Sequence, residues 1–391
     1  MKLLELHFSQ LSKIWNRSKN NNYSDKLRST YHKNLKDLFE QLGKENFSTI
    51  TDKNEIKEKK AILAFLAESI AFLDNSTVNT LPFELVKCLE IALNEWSPEE
   101  DYIIVTSLSK GLNEFSFNPS LATNDSQYEI ISSNYNLEFE KKLIQVNIPE
   151  YLVGDYLANV IMYHELGHFI EVKYSLPDVI LKEFLDDYNN NRLKSDFHLY
   201  FPFVRKKFSS PEKLYSDECL DMLKTHIGEY FCDLFASQYI DDSVNQYLSY
   251  ISEENSLTKS HPTTKDRIKL VKSFLNNQSS YTLNKIKYVV KKWTGQNLKK
   301  RYKRFASNDF IKLLPVEIKS DKELHYLFIY GWNLWLNDWG KIEKENKMVH
   351  ALKAPRVYEI INDLIEKSIG NYIVKTTWEN VSYKKTNRKK T

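Results

Sequence analysis

The stretch LANVIMYHELGHFI, residues 157 to 170, constrains this chain more than any other. His164 and His168 stand four apart, the spacing that puts two side chains on one face of a helix, and Glu165 sits beside them. Tyr163, Leu166, Gly167, Phe169 and Ile170 make most other faces of that helix apolar. Such a helix packs inside a protein and takes its imidazoles in with it. Buried polar groups need partners. Whatever fold the chain adopts must therefore bring polar side chains, or an ion, to this helix.

The spacing is that of HExxH, in which two neutral imidazoles hold one metal ion and the glutamate takes a proton from a metal-activated water. A hydrolytic zinc site needs a third protein ligand and keeps one position open. In sites of the pattern HExxHxxGxxH the glycine and third histidine follow at once; here those positions are Glu171 and Tyr174, which excludes that class. The best source of a third ligand is HIGEYFCDLFASQYI, residues 226 to 240. Glu229 and Asp233 lie one helical turn apart there, so that one carboxylate can bind the metal while the other accepts the far N–H of a ligand histidine and fixes its tautomer. In SHPTTKDRI, Thr263 and Asp266 resemble a capping box that starts a helix running to about Leu275. His261 before the proline reads either as a helix-entry residue or, like Arg267, as a donor to the oxyanion formed when a scissile carbonyl is attacked. His226, on the same face as Glu229, and Tyr230 compete for that role.

YLANVIMYHELGHFI, GEYFCDLFA and SHPTTKDRIKLV, taken in order, resemble the three successive motifs of gluzincin metallopeptidases of peptidase family M48, the group of the prenyl-protein-processing membrane proteases and the soluble minigluzincins. The match covers residues 101 to 276 at most. The resemblance implies a zincin-like core, zinc bound by His164, His168 and Glu229, Glu165 as general base, and Asp233 behind a ligand histidine. It also implies that LIQVNI, the strand before the active helix, offers an edge to an extended substrate peptide. The membrane members surround the site with transmembrane helices, and no such segment is expected here. Cys232 stands where the family often has Ala, a change of one small residue for another.

The rest of the chain frames this expectation. Residues 1 to 97 read as a helical region, 98 to 280 as the metallopeptidase domain and 281 to 391 as a basic helical region. The overall class is α+β, mostly helical, with a small sheet before the HExxH helix. That sheet is expected within 101 to 148, from the β-branched or alternating segments DYIIVTSLS, NEFSFN, YEIISS and KLIQVNI. NRSKNNNYSD and STITDKNEIKEKK are expected as loops, and helical periodicity is expected to persist from about Val153 to the end.

Cys88, Cys219 and Cys232 form no paired spacing, which points to a reducing, cytoplasmic setting. Glu5 and His7 interrupt the N-terminal apolar run, so it reads as a first helix rather than a signal peptide. The most apolar stretches are polar-interrupted or too short for a bilayer, so no membrane insertion is expected.

Net charge is +3 but uneven, with 24 Lys and Arg against 11 Asp and Glu over residues 281 to 391 and 31 against 41 before them. The basic third is therefore expected to dock on acidic groups of its own chain more readily than on nucleic acid or a membrane surface. KYVVKKWTGQNLKKRYKRF, residues 287 to 305, interleaves cations with aromatics, as a nucleic-acid surface or an amphipathic helix over a core does. HYLFIYGWNLWLNDW reads as core. His7, His32, His198, His325 and His350 have no partner spacing and read as structural or exposed.

The expected function is a soluble zinc metallopeptidase acting on a protein or peptide. The alternative is a regulatory or interaction protein on a zincin scaffold, with cutting absent or triggered by a partner or nucleic acid.

Overall fold

The computed structural model describes residues 2–23, 25–77, 82–97, 102–111, 114–207, 210–243, 245–246, 249, 257–347 and 352–387. The chain divides into two compact units, Met1–Glu150 and Tyr151–Thr391. Neither the boundary expected near 97 nor that near 280 separates these units. The N-terminal helices share a core with the sheet, and the HELGH helix belongs with the basic C-terminal stretch.

The first unit contains α1 (Lys2–Ser18), α2 (Lys26–Leu42), α3 (Lys53–Asp74), α4 (Phe83–Trp96), β1 (Tyr102–Ser109), β2 (Ser116–Asn118), α5 (Asp125–Tyr135) and β3 (Lys142–Pro149). Leu35, Leu38 and Leu42 of α2, Ile62, Leu66 and Ile70 of α3, and Ile103, Val105 and Leu143 of the sheet form one apolar cluster. A three-stranded sheet is too small to bury a core alone and needs these helices.

The strand order is β1-β3-β2, with β1 parallel to β3 from Tyr102↔Lys142 to Ser109↔Pro149 and β2 antiparallel to β3 at residues 145–147. LIQVNI is thus the middle strand, and the expectation that it offers a peptide an edge is corrected. Its near-continuous burial at Leu143, Ile144, Val146 and Ile148 is what a strand covered on both faces requires. The outer side of β1 is also occupied: the Arg28 guanidinium donates to the Ile104 carbonyl, and the Thr106 N–H donates to Ser76 Oγ at 2.9 Å.

Two other expectations change. YEIISS is not a strand but lies in α5, where Gln127, Ile131 and Tyr135 are buried at a spacing of four and Asn136 ends the helix at φ 52°. The run STITDKNEIKEKK becomes helix from Lys53, because the Asp52 side chain accepts the Glu55 N–H at 2.8 Å.

The second unit contains α6 (Ile161–Lys173), α7 (Leu176–Asn189), the short helices α8 (Phe197–Tyr200), α9 (Pro202–Lys207) and α10 (Pro211–Leu214), and then α11 (Asp217–Ile240). After these come α12 (Thr264–Leu275), α13 (Tyr281–Thr294), α14 (Asp321–Asn333), which continues into a π-helical turn at Leu334–Asp338, α15 (Gly340–Glu345) and α16 (Ala354–Asn387). Helix α11 is buried on every face from His226 to Ile240, with α6, α7, α12 and α14 packed around it. A Cβ at Gly167 would sit 2.9 Å from Cys232 Cα, so only glycine lets α6 come this close to α11. Thr263 caps α12 as its sequence predicts, Oγ1 accepting the Asp266 N–H at 3.1 Å.

Helical periodicity does not persist to the end. Gly295, at φ 71°, ends α13, and residues 295–320 form neither helix nor strand. The stretch 287 to 305 is therefore not one amphipathic helix. Its second half is held by backbone bonds that a helix would have used internally: Arg301 N–H donates to the Gln238 carbonyl at 2.6 Å, and Lys303 N–H donates to the Lys322 carbonyl at 2.9 Å. Lys285 meets Asp187 at 2.6 Å and Lys292 meets Glu183 at 3.1 Å, so basic residues of the C-terminal third do pair with acidic groups of their own unit. In HYLFIYGWNLWLNDW, Leu327, Phe328 and Trp332 are core, whereas Leu336 remains 48% exposed.

Among the described residues no helix is long and apolar enough to cross a membrane. His7 is exposed, and His350 lies outside the described residues. His325 is buried behind α6, where its Nδ1 meets the Tyr163 hydroxyl at 2.8 Å. Burial pulls it down from 6.5 to about 3. The unfolded chain takes up a proton below about 6.5 and the folded chain does not until about 3, so the stability at stake is full above 6.5 and is lost as pH falls through that window. His325→Asn keeps an acceptor for Tyr163 and removes the titration. Its acid-unfolding curve should be flatter than that of wild type between those values; a superimposable curve would assign the acid sensitivity to other groups.

Candidate metal centre

Three elements of the second unit converge at one point. Helix α6 contributes His164, Glu165 and His168, α11 contributes Glu229 and Asp233, and α12 with the segment before it contributes Arg267 and His261. His164 Nδ1 lies 3.0 Å from Asp233 Oδ1, and His168 Nδ1 lies 3.0 Å from Glu171 Oε1. Each histidine thus has a carboxylate behind it, which favours the hydrogen on Nδ1 and leaves Nε2 as the ligating nitrogen. The two Nε2 atoms face the two oxygens of one carboxylate: His164 Nε2 is 3.5 Å from Glu229 Oε2, and His168 Nε2 is 3.7 Å from Glu229 Oε1.

A metal fits this donor set on two counts. Ligands bound at about 2.0–2.1 Å around a tetrahedral centre lie about 3.4 Å apart, close to each imidazole-to-carboxylate spacing, which the two rings make to separate oxygens of Glu229. In addition, Glu229 Oε2 is buried and accepts no hydrogen bond among the described residues; the Arg267 guanidinium at 3.3 Å offsets its charge but leaves it open to a metal ion.

The electrostatics point the same way. Burial opposes a charge on His164, but the Asp233 and Glu229 carboxylates outweigh it and push the imidazole up to about 10. Burial would likewise raise Glu229, yet His164, Arg267 and His168 hold it well below the usual carboxylate range. The carboxylates around His164 favour a positive charge at this point, whether a proton on the imidazole or a divalent ion.

Arg267 is buried and donates twice to Asp233, from Nε to Oδ2 and from Nη2 to Oδ1, each at 2.7 Å, while Nη2 stands 3.3 Å from Glu229 Oε2. Its guanidinium is committed to these two carboxylates, so its geometry is that of a holding group rather than of a donor to substrate. Removing one partner of such a pair leaves a buried charge uncompensated. Arg267→Met should lower the unfolding free energy of metal-free protein by about 3–5 kcal/mol. A loss below about 1 kcal/mol in denaturant unfolding would show that the pair holds nothing.

The other donor candidates separate by their bonds. The Tyr230 hydroxyl donates to the Tyr200 carbonyl at 2.9 Å within the core. His226 is fully buried, and its Nε2 meets the Thr258 carbonyl at 2.9 Å, anchoring the segment that carries His261. In that segment the His261 N–H donates to Thr258 Oγ1 at 2.8 Å and Ser260 Oγ meets His261 Nδ1 at 2.8 Å. The far nitrogen, Nε2, lies 3.6 Å from Glu229 Oε1, with the side chain 55% exposed. Of the four candidates, His261 alone combines proximity to Glu229 with access to solvent. Glu165 is partly exposed and has no hydrogen-bond or ion-pair partner among the described residues.

Sequence reasoning overlooked Glu171, noted only as a residue that breaks another motif. Its spacing of three from His168 on one helix was the available signal. Cys232 also lies closer to the centre than its reading as an Ala substitute suggests: Sγ is 3.2 Å from His168 Nδ1. Among the described residues, the ligand-type atoms of His164, His168 and Cys232 lie within 4.8 Å of one another. That grouping meets His168 at the nitrogen already facing Glu171, and burial, followed by the nearby Glu171 carboxylate, pushes the thiol well above its ordinary value. Glu229, which faces both Nε2 atoms and is already ionised, is the better third ligand.

This chain matches no protein-family model, no curated protein and no solved structure. The functional reading therefore stands on the side chains themselves.

Proposed function

We propose that this chain is a zinc-dependent metallopeptidase of the gluzincin type, hydrolysing peptide bonds in protein or peptide substrates. The observation that carries the reading is the convergence of two histidine Nε2 atoms on Glu229, with a carboxylate behind each Nδ1. A lone HExxH helix would not need that second helix. Packing of the HExxH helix against the ExxxD helix is the core arrangement the proposal requires.

His164, His168 and Glu229 would hold the ion, which when bound would polarise a water molecule and the substrate carbonyl. Glu165 has no partner to give up, so its carboxylate is available to accept a proton from the attacking water and to return it to the departing amide nitrogen. His261 supplies the hydrogen-bond donor. In the tautomer in which Ser260 donates to Nδ1, the hydrogen is on Nε2, the ring nitrogen 3.6 Å from Glu229 Oε1, where it can meet the carbonyl oxygen as negative charge develops. Asp233 keeps the His164 ring oriented, and Arg267 keeps Asp233 ionised and in place.

Metal analysis of the purified protein tests the reading at its base. About one zinc per chain is expected, and its retention should depend on His164 and His168. Protein that takes up no zinc at micromolar free metal would end it.

A further inference from the structure

Helix α11 carries a glycine immediately before the proposed ligand Glu229. A Cβ at Gly228 would fall 2.5 Å from Glu171 Oε2 and 3.1 Å from Oε1. Nothing with a side chain can occupy that position while the Glu171 carboxylate stays where it is. Glu171 is largely withdrawn from solvent, its side chain 14% exposed, and its oxygens have distinct neighbours: Oε1 faces His168 Nδ1 at 3.0 Å, and Oε2 lies 3.7 Å from Cys232 Sγ. The carboxylate thus sits in a notch between two helices, with an imidazole N–H on one side and a thiol on the other.

We infer that Glu171, seated in the notch at Gly228, is the positioning residue that fixes the tautomer and the ring orientation of His168, as Asp233 does for His164. The inference rests on the zinc reading and deepens it by assigning the group that holds the second histidine. His168 needs such a group more than His164 does, because its side chain is 25% exposed and lacks the tight enclosure that restrains the other ring. A carboxylate accepting from Nδ1 keeps the hydrogen off Nε2 and makes that nitrogen a stronger ligand. Cys232 donates its S–H to the other oxygen, Oε2 at 3.7 Å, and its Sγ also lies 3.2 Å from His168 Nδ1, so Glu171 is held between the ring and the thiol.

The test is zinc affinity, measured by competition with a chromophoric chelator on full-length protein, with the metal-free melting temperature recorded alongside. Glu171→Gln retains an acceptor oxygen but loses the charge, and Glu171→Ala loses both. Affinity should fall about tenfold in the first and toward a hundredfold in the second. Gly228→Ala should copy Glu171→Ala by expelling the carboxylate. Because it acts through Glu171, it should add nothing when placed in the Glu171→Ala background. In ¹⁵N spectra of metal-free wild type, recorded at a pH alkaline enough that the ring is neutral, His168 should show the hydrogen on Nδ1, and in Glu171→Ala it should show a mixture of tautomers. Wild-type affinity in both Glu171 variants overturns the inference, and so does an additive effect of Gly228→Ala in the double variant. Should Gly228→Ala fail to fold, the Glu171 pair and the tautomer spectra decide alone. Failure of the wild-type protein itself to bind zinc is a different outcome, and it removes the underlying metal reading.

Discussion

Glu165→Gln should bind zinc and melt like wild type while losing peptide cleavage by about 10²–10⁴-fold, the share that a positioned general base contributes. The amide has the size of the carboxylate and most of its hydrogen-bonding capacity, but it cannot accept the proton. Glu165 has no hydrogen-bond or ion-pair partner among the described residues, so the exchange breaks no contact that holds the fold. Comparing the peptides released from a whole proteome by wild type and by Glu165→Gln gives a readout that works whichever substrate the protein takes. Equal cleavage by the two proteins would remove Glu165 from the mechanism. A biological effect that survives undiminished in a variant unable to cut would shift the reading to a protein that uses the zincin scaffold for regulation or interaction.

Glu229→Ala should reduce bound zinc from about one per chain to nearly none at micromolar metal, because one of three protein ligands and the only anionic one is gone. Asp233→Ala should behave differently, keeping some metal with affinity lower by roughly tenfold or more, as a residue behind a ligand does. The same measurement decides between the two third ligands. Cys232→Ala should bind zinc as wild type does, since its thiol lies at the far nitrogen of His168 and is held protonated. Zinc lost in Cys232→Ala and retained in Glu229→Ala would replace Glu229 with Cys232 in the ligand set.

Much of the centre was legible in one dimension because helical geometry converts spacing into direction. HELGH places two imidazoles on one face, GEYFCD places two carboxylates one turn apart, and Thr263 with Asp266 marks where α12 begins. Each is a local relation, decided within about two turns of chain. The β-strands were less legible. YEIISS carries β-branched residues, yet the burial of Gln127, Ile131 and Tyr135 against the rest of its unit made it a helix. LIQVNI is a strand, but its place between two others depends on partners far away in sequence, Ser107 and Phe117 among them, which its own residues do not name.

What the sequence determined by itself is the pair of histidines with their glutamate, the helix that displays them, and the shortage of candidates for a third ligand. Only the tertiary structure decided which group stands behind each ring. Asp233 reaches His164 because Gly167 lets two helices approach until Cβ would clash, and Glu171 reaches His168 because Gly228 leaves a notch for it. The tertiary structure also turned Arg267 inward to two carboxylates and left His261 facing out. Those outcomes depend on differences of a few tenths of an ångström in how closely the helices approach, set by packing across the whole unit, and no local spacing encodes them.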